Sequence, residues 1–149
     1  MLKIREAVPG DAANLHELYI RHLTQSPPAQ PQDLAQWARL LEKFAAQPGY
    51  HLLVGELDDR IVSSVTLLVI ENLTHNLRPY ALIENVVTHT DYRGRGYAAA
   101  LMDAASEIAK QNDCYKIMLL TGSKKESTLR FYERCGFLKN IKTGFIKWL

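Results

Sequence analysis

The pattern of apolar and polar residues changes its period once along the chain, from a helical to a strand-like spacing. After a short first strand over residues 2–7, a Pro-Gly-Asp turn predicts a helix that begins at about Ala12. Three prolines within residues 24–32 end that helix and predict a loop. Residues 33–45 then predict a second amphipathic helix. Its apolar side consists of Leu34, Trp37, Leu40, Leu41 and Phe44.

From residue 51 onward the spacing favours strands. Residues 51–57 and 61–70 are rich in Val, Ile and Leu and are separated by two aspartates, which predicts an antiparallel hairpin. Another strand is predicted over residues 80–88, where Glu84 and Asn85 interrupt an apolar run. The remaining predictions are a helix over 96–111, a strand over 115–120, a helix over 127–135 and one or two strands within 138–149.

This order of elements predicts an α/β fold, in which about four helices flank a mixed sheet of six or seven strands. The chain has 149 residues, the length of about one domain, so we expect a single domain over residues 1–149.

Charge and the N-terminal segment limit the possible partners. The 18 basic and 16 acidic residues leave a net charge of +2, far from the basic balance of a protein that neutralises many phosphates. No nucleic-acid partner is therefore expected. The first residues lack the apolar run of a signal peptide, and no stretch reaches the roughly 18 consecutive apolar residues of a membrane span. We therefore expect a cytoplasmic protein without a membrane partner.

The segment most informative for chemistry connects the 80–88 strand to the next helix and reads Arg93-Gly94-Arg95-Gly96-Tyr97-Ala98. Glycine allows the backbone to approach a ligand closely. The free N–H groups at a helix start, together with the positive end of the helix dipole, bind phosphate groups. The segment therefore predicts an anion-binding site.

Two other interpretations of this segment stay open at the level of the residues. Gly94 and Gly96 could simply form a tight turn between strand and helix, with both arginines in solvent. The segment also fits the G-x-G-x-x-A fingerprint of dinucleotide-binding proteins. That fingerprint directly follows the first strand, whereas here five residues, 89–93, separate it from a strand late in the chain, which argues against this interpretation.

The same segment resembles the Q/R-x-x-G-x-G/A motif of the GNAT superfamily of acyl-CoA-dependent N-acetyltransferases. Residues 4–7, 83–87 and 131–137 resemble further segments of that family in the right order, so the resemblance covers nearly the whole chain. Residues 83–87 and 114–117 are also similar to the glucosamine-phosphate acetyltransferase branch, although Asn85 stands where that branch usually has an acid.

The resemblance implies a GNAT fold with a mostly antiparallel sheet that splays between the 80–88 and 115–120 strands and holds acetyl-CoA in the opening. The backbone of the 80–88 strand would pair with the pantetheine arm, and the amides of residues 95–98 would hold the pyrophosphate. One strand amide, at about Val86 or Val87, would polarise the thioester carbonyl. No metal is implied. The implied cofactor-binding residues are Val86, Val87, Thr88, Arg93, Gly94, Arg95, Gly96, Tyr97 and Ala98.

Two side chains are candidate catalytic residues. Glu84 stands in an apolar strand, where burial would raise its pKa and suit it to take a proton from an ammonium group, directly or through water. The alternative is that Glu84 faces solvent or pairs with an arginine. By the resemblance, Tyr132 would protonate the departing CoA thiolate. The alternative is that Tyr132 packs beside Phe131 as a core aromatic side chain.

The resemblance implies direct transfer of acetyl from acetyl-CoA to the primary amine of a small molecule, through a ternary complex. The alternative is a non-catalytic acyl-CoA-binding regulatory domain, which is supported only by Lys125, where many family members have an Asn. A homodimer is expected, by family analogy and because the apolar tail at 145–149 needs a partner surface. Loops 24–32 and 72–80 are expected to select the amine, but neither identifies it as an amino sugar, polyamine, metabolite, antibiotic or protein amine.

Overall fold

The computed structural model describes residues 1–24, 28 and 30–149. Four of the nine residues of the predicted loop at 24–32, residues 25–27 and 29, thus lie outside the described residues. The strands are β1 (Lys3–Glu6), β2 (Tyr50–Leu57), β3 (Arg60–Ile70), β4 (Tyr80–Thr88) and β5 (Ile117–Leu119). The α-helices are α1 (Ala12–His22), α2 (Leu34–Ala45), α3 (Tyr97–Gln111) and α4 (Glu126–Arg134). Short 3₁₀ turns precede α1 and follow β4, at Pro9–Asp11 and Thr90–Tyr92.

The five strands form one sheet in the order β1-β2-β3-β4-β5. The first three pairs are antiparallel, and β4 pairs with β5 in parallel through the crossover helix α3. The expectation of a mixed and mostly antiparallel α/β sheet is therefore confirmed. The expected number of six or seven strands is wrong, because the structure has five in its described part.

The missing strands are those expected in the tail. Residues 138–149 form no strand, and their apolar side chains face solvent, with Phe145 89% and Trp148 84% exposed. An extended segment becomes a strand only where a neighbouring backbone takes up its hydrogen bonds. Within the described part of this chain, no neighbour does so for the tail.

Local signals explain where several elements begin and turn. The carboxylate of Asp33 accepts a hydrogen bond from the amide of Ala35 at 2.8 Å and caps the start of α2. The hairpin between β2 and β3 turns at Asp58 and Asp59, both with positive φ, as a two-residue hairpin turn requires. In β2, a Cβ at Gly55 would lie 2.9 Å from the Leu101 side chain, so a close approach of α3 fixes glycine there.

The sheet is the middle of three layers, with a separate apolar cluster on each face. On one face, Leu15 and Leu18 of α1 and Leu41 of α2 pack against Leu52 and Val54 of β2. The cluster on the other face joins α3 and α4 to the sheet. Its buried members include Leu53, Val65, Leu67, Ile83, Leu101, Met102 and Ala105. Burial of these side chains supplies the main driving force of folding.

A bulge in strand β4 reverses which of its residues face each cluster. Thr66 of β3 lies opposite Glu84, and Ser64 lies opposite Val87, so β4 advances by one residue more than β3 between these pairs. Asn85 sits in this bulge with a φ of 52°, a conformation that Asn tolerates better than most residues. Before the bulge Ile83 packs on the α3 side, and after it Val87 packs on the α1 side.

No helix among the described residues is long and apolar enough to cross a membrane.

Candidate active site

Strands β4 and β5 separate soon after they pair. Their pairing joins Ala81 to Ile117 and extends only to Ile83 and Leu119. From Glu84 to Thr88, β4 therefore has no strand neighbour on its β5 side. We call this space the β4–β5 opening. The expected splay of the sheet is thus present, and β4 presents backbone groups along it.

The loop of residues 93–98, here called the phosphate loop, connects the end of β4 to α3. Gly94 and Gly96 have φ values of 74° and 80°, in the left-handed region that favours glycine. A Cβ at either position would meet no atom within 4 Å, so both face open space. In the described structure the backbone amides of residues 95–98 donate no hydrogen bond. Unpaired amides at the start of a 15-residue helix suit an anion such as a diphosphate.

The two arginines of the phosphate loop brace it. The Arg93 guanidinium donates to the carbonyl of Thr88 at 3.1 Å and to the carbonyl of His22 at 3.4 Å. The Arg95 guanidinium donates to the carbonyl of Asp91 at 3.2 Å and lies over the Tyr92 ring. An anion at this loop would therefore meet main-chain amides, with two positive charges close by.

The three residues predicted to pair with the pantetheine arm lie at the end of β4. Val87 is buried, whereas Val86 and Thr88 are partly exposed. The Ser63 hydroxyl donates to the carbonyl of Val87 at 2.9 Å and lies 2.9 Å from the Thr88 hydroxyl. These contacts fix this end of β4 to β3, leaving its opposite edge on the β4–β5 opening.

The structure corrects the expected environment of Glu84. Its side chain is exposed, not buried, because it adjoins the bulge, where the regular alternation of β4 is broken. Burial therefore does not prepare this carboxylate to act as a base in the protein without a bound ligand. Glu84 nevertheless lies at the beginning of the β4–β5 opening.

Tyr132 is half-buried on α4 and belongs to the same site. Burial raises the pKa of its phenol, and the neighbouring Cys135 and Glu84 add to the rise. Its ring packs edge-on against Phe131 and Phe137. The predicted helix end is confirmed, because Gly136 has a φ of 90° and the Phe137 amide donates to the carbonyl of Tyr132.

A cavity of about 330 Å³ lies on the other side of the bulge, between α1, α2 and the sheet. We call it the α1–α2 cavity. Its lining residues are Leu15, Tyr19, Gln36, Trp37, Leu40, Leu41, Phe44, Tyr50, Leu52, Thr66 and Asn85. The apolar spacing of α2 predicted a side that faces the core, and the cavity was missed. Apolar spacing does not distinguish a helix side that covers a core from one that also borders a pocket.

A pair of histidines was also missed. His22 ends α1, and His89 follows β4 shortly before the phosphate loop. The His22 and His89 rings lie 4.0 Å apart, and the Arg60 guanidinium donates to Nε2 of His89 at 2.9 Å. Burial lowers the pKa of His22, and His89 and Arg93 lower it further. The described residues contain no group of three or more His, Cys, Asp or Glu side chains placed to hold a metal ion.

Residues 13–137 match the model of the acetyltransferase (GNAT) family, so the chain belongs to that family. It is 33% identical over 138 residues to a glucosamine 6-phosphate N-acetyltransferase from Trypanosoma brucei brucei, covering 91% of this chain and 88% of the relative. A solved structure of a putative acetyltransferase from Agrobacterium tumefaciens is 41% identical, with a TM-score of 0.89 and 99% of both chains covered. An acetyltransferase structure from Trypanosoma brucei is 29% identical, with a TM-score of 0.79 and coverage of 99% of this chain and all of that one.

These similarities confirm two predictions, the family and the N-acetyltransferase class of enzyme. Members of this family use acetyl-CoA as cosubstrate. The phosphate loop fits the diphosphate of that molecule, because its free amides and open glycines leave room for an anion.

Proposed function

We propose that the protein transfers an acetyl group from acetyl-CoA to the primary amine of a small molecule, by direct attack within a ternary complex. One observation carries the proposal. Three features border one opening in the sheet. They are the unpaired amides of the phosphate loop, the free edge of β4 and the two candidate proton-transfer groups.

Each group has a distinct task. The amides of residues 95–98 hold the diphosphate, and the edge of β4 from Val86 to Thr88 holds the pantetheine arm as an added strand would be held. Acetyl-CoA supplies the activated acyl group as a thioester. An amide at Val86 or Val87 stabilises negative charge on the carbonyl oxygen of that group.

Glu84 and Tyr132 handle the protons. Glu84 takes a proton from the substrate ammonium and, being exposed, can pass it to water. Tyr132 donates its phenolic proton to the departing thiolate. The raised pKa of Tyr132 keeps the phenol protonated at neutral pH, so its proton is available when the thiolate forms.

The test measures coenzyme binding and turnover separately. Titration calorimetry with coenzyme A is expected to show saturable binding, and a thiol-release assay with acetyl-CoA and a panel of primary amines is expected to show amine-dependent turnover. Binding of coenzyme A without thiol release for any amine would favour the alternative of a non-catalytic acyl-CoA-binding domain. Lys125, the residue that supports this alternative, is an exposed residue at the start of α4.

We also propose a homodimer, in which a second copy covers the apolar tail. The tail exposes Phe145, Ile146 and Trp148, and isolated chains rarely expose such large side chains side by side. Light scattering is expected to give twice the mass of the chain, and the mass of one chain would contradict the proposal.

A further inference from the structure

The α1–α2 cavity reaches the bulge of β4, next to the proposed proton acceptor Glu84. Asn85, the bulge residue of β4, forms part of its lining, and Glu84 is the residue directly before Asn85. A molecule in this cavity therefore reaches the bulge from the side opposite α3 and α4. In this position the lining side chains of the cavity would select the acceptor amine. The inference therefore rests on the proposed function.

The lining of this cavity is aromatic and uncharged. Four of its side chains are aromatic, and they form two contacting pairs. The Phe44 and Tyr50 rings stack at 4.0 Å, and Tyr19 meets Trp37 edge-on at 6.0 Å. None of the lining residues is Asp, Glu, Lys, Arg or His. Such a surface binds the apolar part of a ligand through the apolar area that is buried and through contacts between rings.

The described residues that line the cavity supply no cation, and the nearest charged pair of an adjoining cavity, Glu6 and His51, is satisfied internally by a contact of 2.7 Å. Residues 23–37, which include the loop between α1 and α2, contain a single charged residue, Asp33, so the residues outside the described part add no positive charge. The Arg39 side chain on α2 is exposed and lies 3.9 Å from Asp33. His16 packs its ring against Trp37 at 5.0 Å and is not part of the lining.

A buried hydroxyl at the base of the cavity suits an amine. Thr66 is 2% exposed and lies opposite Glu84 in the sheet; its hydroxyl makes no well-formed hydrogen bond among the described residues, although the Tyr19 hydroxyl is close enough to interact with it. The nearby Tyr19 hydroxyl lies 3.4 Å from the Ser64 hydroxyl. A buried hydroxyl without a partner gains free energy when a ligand supplies one. The Thr66 oxygen can accept a hydrogen bond from an ammonium group held beside Glu84.

We propose that the α1–α2 cavity selects a primary amine with an uncharged aromatic or branched aliphatic body, and that it rejects amino sugars that carry a phosphate. A phosphate group needs Arg or Lys donors to replace its water, and the described lining of the cavity offers none. The acceptor class would thus differ from the one named by the Trypanosoma brucei brucei relative.

Two matched pairs of amines test the effect of a phosphate directly. Thiol release is measured for tyramine and its O-phosphate, and for glucosamine and glucosamine 6-phosphate. We expect kcat/KM for tyramine to exceed that for its O-phosphate by about tenfold or more, because a phosphate without a cation loses its hydration uncompensated. We also expect tyramine to be preferred over both sugars. A preference for glucosamine 6-phosphate over glucosamine and tyramine would overturn the inference while leaving the proposed function intact.

Variants locate the effect in the cavity. Trp37→Ala is expected to raise KM for tyramine several-fold through lost ring contact. Leu40 is half-exposed at the rim, so Leu40→Arg is expected to improve kcat/KM for tyramine O-phosphate relative to tyramine, whereas Leu40→Met, which keeps an apolar side chain, is not. If Leu40→Arg left the ratio of kcat/KM for tyramine O-phosphate to kcat/KM for tyramine unchanged, the placement of the phosphate in this cavity would be contradicted.

A binding measurement separates this inference from the proposed function. In a Trp148→Phe background, Trp37 is the remaining tryptophan, so quenching of its fluorescence by tyramine reports on the cavity. Saturable quenching by tyramine with no thiol release for any amine of the panel would overturn the proposed function and leave only the binding preference of the cavity. If tyramine neither quenched the fluorescence nor was acetylated, the inference would be overturned, even if another amine were acetylated.

Discussion

Glu84 on β4 and Tyr132 on α4 act on each other across the β4–β5 opening. Burial is the main reason that the pKa of the Tyr132 phenol is raised, and the Glu84 carboxylate raises it further. The two side chains come from elements almost 50 residues apart in the chain, on opposite sides of the gap. The charge of Glu84 therefore helps to keep the Tyr132 phenol protonated.

The first prediction concerns this coupling. Glu84→Gln removes a negative charge and is therefore expected to lower the pKa of Tyr132 toward that of an ordinary tyrosine. Proton titration of ¹³C-labelled tyrosine followed by NMR measures the change, and Tyr132→Phe identifies the signal. Glu17→Gln removes the same charge from the exposed surface of α1 and serves as a control that should leave the signal unchanged. Equal pKa values in wild type and Glu84→Gln would show that the two groups are not coupled.

The second prediction concerns proton donation to the thiolate. Tyr132→Phe keeps the ring packing against Phe131 and Phe137 but removes the proton, so kcat is expected to fall on the order of 10²- to 10⁴-fold with little change in coenzyme binding. Steady-state kinetics and calorimetry give the two quantities. If Tyr132→Phe and Glu84→Gln both left kcat/KM unchanged, the assigned roles of both residues would have to be abandoned.

The third prediction concerns the phosphate loop. Replacing Gly94 and Gly96 by Val would place side chains in the open space where the anion binds and would strain two residues with positive φ. Coenzyme A binding is expected to be lost in calorimetry, with a modest decrease in the melting temperature. Gly10→Val is the control, because Gly10 also faces open space but has no positive φ and lies before α1. Unaltered coenzyme binding in the double variant would refute the assignment of the loop.

The fourth prediction concerns stability. The Arg5 guanidinium donates to both oxygens of the Asp11 carboxylate, at 2.7 and 2.9 Å, and also to Glu56. Burial on its own would raise the pKa of Asp11, but the Arg5 guanidinium and the Val8 amide together lower it. Asp11 is 6% exposed, so Asp11→Asn is expected to cost about 2 kcal/mol of unfolding free energy.

The pH dependence of that loss follows from the direction of the shift. A carboxyl whose pKa is lower in the folded state stabilises the fold above its unfolded pKa of about 3.9, and this contribution disappears as the pH falls through the lower folded value. The difference between wild type and Asp11→Asn in urea denaturation should therefore shrink below about pH 4. Glu107→Gln, which breaks an exposed helix pair with Lys110, should cost under about 0.5 kcal/mol. A difference for Asp11→Asn that did not change with pH would contradict this account.

Helices and inner strands were predictable from the sequence because periodicity, caps and turn residues agree there. The spacing predicts α2 to within one residue of its ends, and Gly136 marks the end of α4. The tail was not predictable, because strand formation depends on a neighbouring backbone and not on the apolar content of residues 138–149.

The site was predictable only where its chemistry lies in the backbone. The phosphate loop has a local signature, since glycine is the residue that accepts the conformations at 94 and 96. The exposure of Glu84 was mispredicted, because the bulge at Asn85 depends on how β4 aligns with β3. The α1–α2 cavity was missed for a similar reason: whether Trp37 and Phe44 fill a core or border a space depends on the distance between layers.

The half-open edge of β4 has a consequence for solubility. A strand that ends its pairing at Ile83 offers its remaining backbone groups to any other extended chain, including a second molecule of the same protein. A charged side chain and a kink are among the devices by which natural sheets discourage such edge-to-edge aggregation, and β4 carries both, at Glu84 and Asn85. Glu84 and Asn85, which border the place proposed for the acceptor amine, thus also protect this edge from unwanted strands.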